Sequence, residues 1–320
     1  MGQLVNGAWQ TEALLAKNSN GKFKRQDSAF RDWLSSDPAA KFPAEAGRYH
    51  LYVSYACPWA HRTLIFRALK GLEDMITVSV VHWHMEDHGW KFSKEDGLFD
   101  HLHGHDFMHQ VYSAAKPDYS GRVTVPVLWD KKTNQIVSNE SAEIIRMLNN
   151  AFDGLGAKAG DYYPEHLRAE IDAINSRVYN DINNGVYKSG FATSQSAYEE
   201  AVTALFDTLD WLEDRLDKQP YLVGDTLTEA DWRLFPTLLR FDPVYHGHFK
   251  CNRQMIHEYP NLWNYTKALY QHPGVKQTVH LDHIKKHYYQ SHPSVNPSGV
   301  VPLGPVIDFD APHDRDRFSR

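Results

Sequence analysis

The residue best suited to chemistry is Cys57, one of two cysteines in the 320-residue chain. It stands in Cys57-Pro58-Trp59-Ala60, between a β-rich stretch and a run with helical spacing. A helix N-terminus carries about half a positive charge and unpaired N–H groups, so we expect a lowered pKa for this thiol, with Arg62 adding positive charge. Ala60 replaces the second cysteine of a two-thiol motif. A lone thiolate must therefore exchange with an outside thiol, and glutathione is the obvious small partner in a reducing compartment.

Two later motifs could hold a small peptide. Val125-Pro126 begins a predicted strand, where a proline fits either a trans edge residue or, after the preceding strand–helix–strand order, the cis proline of thioredoxin-like folds. Such a turn exposes the N–H and C=O of Val125 to an extended peptide. Glu140-Ser141 precedes a predicted helix, where a serine is most often only an N-cap. The same place can bind a carboxylate while Glu140 pairs an ammonium group, and a γ-glutamyl group offers both.

The N-terminal half reads as a mixed α/β domain. Its hydrophobic patterns predict strands over 49–55, 76–81, 123–130 and 135–138, and helices over 59–70 and 141–149. Residues 1–45 carry no sustained period and are predicted to be irregular. Residues 82–121 are predicted to form a long, polar, histidine-rich loop.

The C-terminal half is predicted to be helical. Apolar residues keep helical spacing from Leu167 to Ile182, up to a predicted helix break ending at Gly185, and further helices are expected over 202–216, from 228 onward and over 261–270. Thr228 and Asp231 form a capping-box pattern at the start of one of them. We expect an N-terminal extension at 1–45, a thioredoxin-like domain at 46–150, an all-helical domain at 164–290 and an irregular tail at 291–320.

Composition narrows the class of protein. Hydrophobic residues make up 42% and charged residues 23%, which is ordinary for a globular chain. The net charge of −6 argues against a nucleic-acid partner, which would require a basic face. We see no secretory signal and no apolar run long enough to span a membrane, and two cysteines are too few for a disulfide scaffold. A cytoplasmic protein is therefore expected.

The motifs in this order resemble the glutathione transferase superfamily, and more closely its Xi class, the glutathionyl-hydroquinone reductases. The resemblance covers roughly residues 30–300. It is carried by Cys57-Pro-Trp-Ala-His-Arg62, Arg122-Val-Thr-Val-Pro-Val-Leu-Trp-Asp130, Asn139-Glu-Ser141, Asn184-Gly-Val-Tyr-Lys188, Gly190-Phe-Ala192, Arg240-Phe-Asp-Pro-Val-Tyr-His246 and Tyr288.

The resemblance implies a thioredoxin-like domain followed by an all-α domain, and a reductase that removes glutathione from glutathionyl-hydroquinones through a mixed disulfide at Cys57. Glutathione would be the co-substrate, no metal would be needed, and the chain would form a homodimer. The resemblance implies Tyr187 as the proton donor, with Tyr245 and Tyr288 also facing the aromatic substrate. The glutathione contacts it implies are Trp90, Arg122, Val123, Thr124, Val125, Glu140 and Ser141.

Three other interpretations stay open at this point. One is an omega-like thioltransferase or dehydroascorbate reductase that uses Cys57 without the tyrosines. Another is a non-catalytic binding module of transferase type. The third is a metal site in the histidine-rich loop, although the histidine spacing there matches no structural zinc site. Cys251 lacks the context of Cys57 and is predicted to be buried and inert.

Overall fold

The structure is a computed structural model that describes residues 2–11 and 20–318. Its strands, in chain order, are β1 (Gln3–Val5), β2 (Ala8–Gln10), β3 (Leu34–Ser35), β4 (Phe42–Pro43), β5 (Tyr49–Val53), β6 (Ile76–Val80), β7 (Val127–Asp130) and β8 (Gln135–Ser138). Its helices are α1 (Pro58–Leu69), α2 (Met108–Ala115), α3 (Ser141–Asn150), α4 (Arg168–Val178), α5 (Gly185–Gly190), α6 (Gln195–Leu216), α7 (Glu229–Arg240), α8 (His246–His248), α9 (Pro260–Gln271) and α10 (Leu281–Ser291).

The described residues form two units that do not follow chain order. The first unit contains residues 2–11, 26–160 and 278–291, and the second contains residues 20–25, 161–277 and 292–318. Each unit therefore includes a segment from a distant part of the chain. From sequence, residues 278–290 were grouped with the helical domain, whereas the structure groups α10 with the first unit.

The first unit is built on a mixed sheet in the order β6-β5-β7-β8. Strand β5 is central, and each of its five residues is buried. It pairs in parallel with β6, to which α1 connects it, and antiparallel with β7, which pairs antiparallel with β8. This is the predicted βαβ unit followed by a hairpin. Strand β7 begins only at Val127, because the residues just before it form a loop rather than the predicted strand.

Some elements lie where irregular chain was predicted. β1 and β2 form an antiparallel hairpin around Asn6-Gly7, whose φ angles are 48° and 75°. An Asn-Gly pair between short apolar stretches is a strong hairpin signal that the sequence reading missed. Helix α2 lies inside the predicted loop 82–121, because Met108, Val111 and Tyr112 give it a buried side that is too short to stand out as a period.

Helix α10 contacts the rest of the first unit through both polar and apolar groups. The ring Nδ1 of His287 lies 2.7 Å from the Trp83 carbonyl oxygen, to which its N–H can donate, and the Ser291 hydroxyl accepts from the Met85 N–H at 3.0 Å. Ile284 and Tyr288 supply buried non-polar surface. Because so few of its residues are apolar, no stripe in the sequence marked this helix.

The second unit is helical, as predicted. The apolar stripe of α6 is buried, and α6 packs against α5 and α9. The predicted capping box is confirmed at the start of α7: Thr228 accepts from the Ala230 N–H at 3.3 Å, and Asp231 accepts from the Thr228 N–H at 2.8 Å. Asp231 also accepts from the Tyr265 hydroxyl at 2.7 Å. Burial raises the pKa of Asp231. Among the residues that the structure describes, no helix has the length and apolar character needed to cross a membrane.

Candidate active site

Cys57 lies at the N-terminal tip of α1, as the sequence predicted. It is the N-cap residue with extended backbone (φ −75°, ψ 122°), and Pro58 occupies the first turn, where its missing N–H removes no helical hydrogen bond. Cys57 is buried, with 8% of its surface exposed. Arg62, one turn further on, is buried, and its guanidinium lies 4.7 Å from the ring centre of Trp59.

The peptide bond between Val125 and Pro126 is cis, which confirms the preferred interpretation of this motif. The turn brings the Val125 carbonyl oxygen to 3.5 Å from Cys57 Sγ, so the thiol can donate to it. Two of the expected site residues are thus in direct contact. The contact places the Cys57 sulfur beside the backbone groups of Val125 that could hold a peptide.

The loop from Arg122 to Val125 is held by a tyrosine that the sequence reading did not single out. The Tyr112 hydroxyl donates to the Thr124 carbonyl at 2.9 Å and accepts from the Asn139 side-chain N–H at 3.0 Å. A second buried tyrosine, Tyr119, donates to the Arg122 carbonyl at 3.0 Å. Tyr112 is fully buried, and it links the loop to the residue that precedes Glu140. No motif marked it, because its role depends on α2, which was not predicted.

Glu140, and not Ser141, is the N-cap of α3. One carboxylate oxygen of Glu140 accepts from the Ala142 N–H at 3.0 Å, and the other accepts from the Ser28 hydroxyl at 3.0 Å. Ser141 is the first helical residue and is buried. The simple interpretation of Ser141 as an N-cap is therefore wrong. The arrangement presents a carboxylate and a helix N-terminus side by side.

Trp90 and Tyr288 both contact His287, a residue that was not predicted from the sequence to belong to the site. His287 on α10 stacks on the Trp90 ring with centroids 4.8 Å apart and an interplanar angle of 22°. The Tyr288 ring lies edge-on to His287 at 5.3 Å. Trp90 is 7% exposed and Tyr288 is 1% exposed. His287 stands directly before Tyr288 in the sequence, but its position against Trp90 could not be read without knowing that α10 joins this unit.

Tyr187 and Tyr245 belong to the second unit, where their ring centroids are 6.1 Å apart. Each lies beside a π-helical turn: Tyr179–Asn183 precedes α5, and Phe241–Tyr245 follows α7. The predicted helix break at Gly185 coincides with the start of a separate helix, because the π-helical turn ends at Asn183 and α5 begins at Gly185. Asn183 stabilises this turn by donating to the Thr237 hydroxyl at 2.8 Å. Such turns are frequent at functional sites.

The remaining candidates are accounted for by packing. Cys251 is fully buried, which confirms the prediction of a buried cysteine, and burial raises the pKa of its thiol to about 12. His109, from the histidine-rich loop, stacks on Trp9 at 4.7 Å and on Phe107 at 5.2 Å. Over residues 2–11 and 20–318, no three His, Cys, Asp or Glu side chains are grouped so as to hold a metal ion.

A thioredoxin-like unit with a cysteine at a helix tip, together with an all-helical unit, defines the glutathione transferase class. Residues 56–151 match the family model of the glutathione S-transferase N-terminal domain, and residues 195–268 match that of the C-terminal domain.

Individual relatives narrow the class. The chain is 57% identical over 307 residues to the glutathionyl-hydroquinone reductase PcpF of Sphingobium chlorophenolicum, covering 96% of this chain and 97% of that protein. The solved glutathione-bound structure of YqjG from Escherichia coli K-12 has a TM-score of 0.91 and 53% identity, and covers 98% of this chain and 99% of that one. An Xi class glutathione transferase from Natrialba magadii has a TM-score of 0.95 and 52% identity, covering 99% and 98%. This chain belongs to the Xi-class glutathione transferases, the family of the glutathionyl-hydroquinone reductases.

Proposed function

We propose that this protein removes glutathione from glutathionyl-hydroquinones, with Cys57 as the nucleophile. The observation that carries the proposal is the position of Cys57 Sγ, at the tip of α1 and 3.5 Å from the carbonyl oxygen of the cis-proline turn. A helix N-terminus favours the thiolate, which is the nucleophilic form. The relatives named glutathionyl-hydroquinone reductase support the choice of substrate class.

The reaction proceeds in two steps, in each of which a thiolate attacks a sulfur atom, and only the second is a thiol–disulfide exchange. The Cys57 thiolate attacks the sulfur of the aryl–S–glutathione bond, the carbon–sulfur bond breaks, and the aryl carbon leaves with the electron pair and takes up a proton. The hydroquinone is released and the enzyme holds Cys57–S–S–glutathione. A second glutathione thiolate then attacks this mixed disulfide, which gives glutathione disulfide and restores the Cys57 thiolate.

Glutathione binding is proposed for a set of residues in the first unit. The Val125 N–H and C=O suit an extended peptide backbone. The N-terminus of α3 at Ser141 suits the γ-glutamyl carboxylate, and Glu140 suits its ammonium group. The indole ring of Trp90, held by His287, and the loop of Arg122, Val123 and Thr124 complete the set. The relative YqjG, solved in its glutathione-bound form, supports glutathione as the ligand.

Three tyrosines are proposed to serve the aromatic half of the substrate. Tyr187 is the proton donor to the leaving carbon, and Tyr245 and Tyr288 hydrogen-bond or pack against the ring. A phenol of ordinary pKa about 10 can donate a proton, or a hydrogen bond to the ring oxygens. The pairing of Tyr187 with Tyr245 at 6.1 Å supports a joint role for these two.

The proposal is tested by mass spectrometry after a pulse of glutathionyl-menadione, which should leave one glutathione on Cys57. The Cys57→Ser variant should release hydroquinone roughly a thousandfold more slowly or worse. The Cys251→Ala variant, which alters the other cysteine, should behave like the parent. Release at the parent rate by Cys57→Ser would overturn the proposal.

Two further measurements separate the other interpretations. Loss of hydroquinone release in Tyr187→Phe with retained thioltransferase activity favours the reductase over a thioltransferase of the omega type. Iodoacetamide labelling of Cys57 across pH reports its pKa. A midpoint near the free value of about 8.5 favours a non-catalytic binding module.

We also propose a homodimer that works in the cytoplasm. The second step consumes reduced glutathione, which a reducing compartment supplies. The homodimer is proposed from the resemblance to the Xi-class glutathione transferases, which implies it. Sedimentation velocity at micromolar concentration should give twice the mass of the chain, and a single monomer species would contradict the proposal.

A further inference from the structure

The proposed proton donor, Tyr187, has a cation on its ring face. The guanidinium carbon of Arg25 lies 4.8 Å from the Tyr187 ring centre. The Arg25 Nε–H donates to the Asn184 side-chain oxygen at 2.7 Å. Asn184 is 6% exposed and directly precedes the helix that carries Tyr187. One hydrogen bond therefore fixes the guanidinium over the phenol ring.

The segment that carries Arg25 is itself anchored. The Thr193 N–H donates to the Gly21 carbonyl at 3.1 Å, and the Ser194 hydroxyl donates to the Asn20 carbonyl at 3.3 Å. Lys22 forms an ion pair with Glu200 at 2.7 Å. These contacts hold residues 20–25 against α6 and the turn before it. This part of the N-terminal extension is therefore packed within the second unit.

Phe23 covers the tyrosine from the same segment. Its ring stacks against Tyr187 with centroids 6.3 Å apart, and it lies 5.6 Å from the ring of Phe191. Apolar rings on this side reduce the access of water, which strengthens the interaction of a nearby cation with the phenol. Arg25 thus acts on Tyr187 in a partly desolvated setting.

Other titratable groups lie near Tyr187 among the residues that the structure describes. The ring of Tyr245 lies 6.1 Å away, centre to centre. His248 and His292, hydrogen-bonded at 3.1 Å, pack against Phe249 and Phe191. Burial lowers the pKa of His248 to about 4, so it is uncharged at neutral pH. Lys188, next along the helix, directs its ammonium group to the Asn180 carbonyl at 2.9 Å.

We propose that Arg25 is a positioning residue for Tyr187, which holds the ring and stabilises the phenolate formed when Tyr187 gives its proton to the leaving carbon. A cation over an aromatic face is attracted to the π electrons of the ring, and the attraction is stronger when the ring carries a negative charge. The proton that Tyr187 gives up is replaced within the catalytic cycle, because the thiol proton of the second glutathione restores the phenol. This inference rests on the proposed role of Tyr187.

The test compares Arg25→Gln and Arg25→Lys with the control Lys24→Gln, which removes one exposed positive charge from the same segment. With a glutathionyl-hydroquinone as substrate, we expect kcat to fall about tenfold in Arg25→Gln. The alkaline limb of its kcat–pH profile should move up by roughly one pH unit. Arg25→Lys should retain most of the parent kcat and the parent limb, and Lys24→Gln should match the parent in both.

A second substrate separates this effect from damage to the fold. Exchange of glutathione from a mixed disulfide with 2-mercaptoethanol uses Cys57 but protonates no carbon, so it should change less than about threefold in Arg25→Gln. Equal losses on both substrates with an unmoved alkaline limb would overturn the inference. If Tyr187→Phe keeps full hydroquinone release, the proposed role of Tyr187 fails. If Tyr187→Phe loses release while Arg25→Gln retains it, only the inference fails.

Discussion

Removing the buried hydroxyl of Tyr112 should weaken glutathione binding, although Tyr112 is not itself one of the proposed glutathione contacts. In Tyr112→Phe, the ring stays and the oxygen is lost. That oxygen donates to the Thr124 carbonyl at 2.9 Å and accepts from Asn139 at 3.0 Å. The Thr124 N–H also points to it at 3.3 Å. The substitution therefore frees the loop before the cis proline from α2 and from the residue preceding Glu140.

The size of the effect follows from these contacts. A hydrogen bond between neutral groups contributes about 1 kcal/mol net, and a buried partner left unpaired adds to the loss. Two well-formed bonds and two long contacts at 3.3 Å, to the N–H and the hydroxyl of Thr124, therefore correspond to about 2–3 kcal/mol of unfolding free energy. If about 1.4 kcal/mol of this is the cost of ordering the loop around glutathione, the KM for glutathione rises about tenfold.

Urea unfolding and steady-state kinetics measure the two parts separately. The matched control is Tyr265→Phe in the second unit, which removes an equally buried hydroxyl that donates to Asp231 at 2.7 Å. The control should lose comparable stability while its KM for glutathione stays at the parent value. If both variants lose stability and neither changes this KM, then Tyr112 does not position the loop. If Tyr112→Phe loses no stability, the hydrogen-bond assignment itself is refuted.

Other expectations concern single residues. His287→Leu removes the ring stacked on Trp90, worth about 0.5–1.5 kcal/mol, so the KM for glutathione should rise about 2- to 10-fold; an unchanged KM would contradict the role given to His287. Burial favours the neutral ring of His50 and therefore lowers its pKa to about 3. The resulting contribution to the unfolding free energy is complete above the unfolded pKa of about 6.5 and is lost as the pH falls, by about 2 kcal/mol at pH 5. Urea unfolding at pH 7.5 and pH 5 should show this loss, and His50→Gln should reduce it; an equal loss in both proteins would refute the assignment. Thr228→Ala removes the cap of α7 and should lower the unfolding free energy by about 1–2 kcal/mol with kinetics unchanged, whereas no loss would mean that the cap is dispensable.

Local signals made much of the site predictable. Cys57-Pro58 ends a strand and begins a helix, and both elements have strong periods of their own. Thr228 and Asp231 are three residues apart, so their mutual capping depends only on chain geometry. The cis bond before Pro126 required more, because a proline at a strand start is ambiguous until the preceding βαβ unit is recognised.

The features that the sequence did not predict depend on contacts between distant residues. Tyr112 reads as one aromatic among 17 tyrosines until α2 places its hydroxyl beside Thr124. His287 reads as a polar residue of an unmarked helix until α10 lies against Trp90. The π-helical turn before Tyr187 widens one turn of a helix, and Asn183 stabilises it through a hydroxyl 54 residues away. Apolar periodicity cannot report any of these, since each depends on polar contacts across the fold.

The place of α10 in the first unit also has a consequence for synthesis on the ribosome. When residue 160 has been made, the chain has the whole β6-β5-β7-β8 sheet but lacks α10, which ends about 130 residues later. At about 5–20 residues per second, translation needs roughly 7–26 s to supply it. During that time the Trp90 ring stays without its histidine neighbour, and any glutathione site that includes Trp90 is completed only by one of the last helices to leave the exit tunnel.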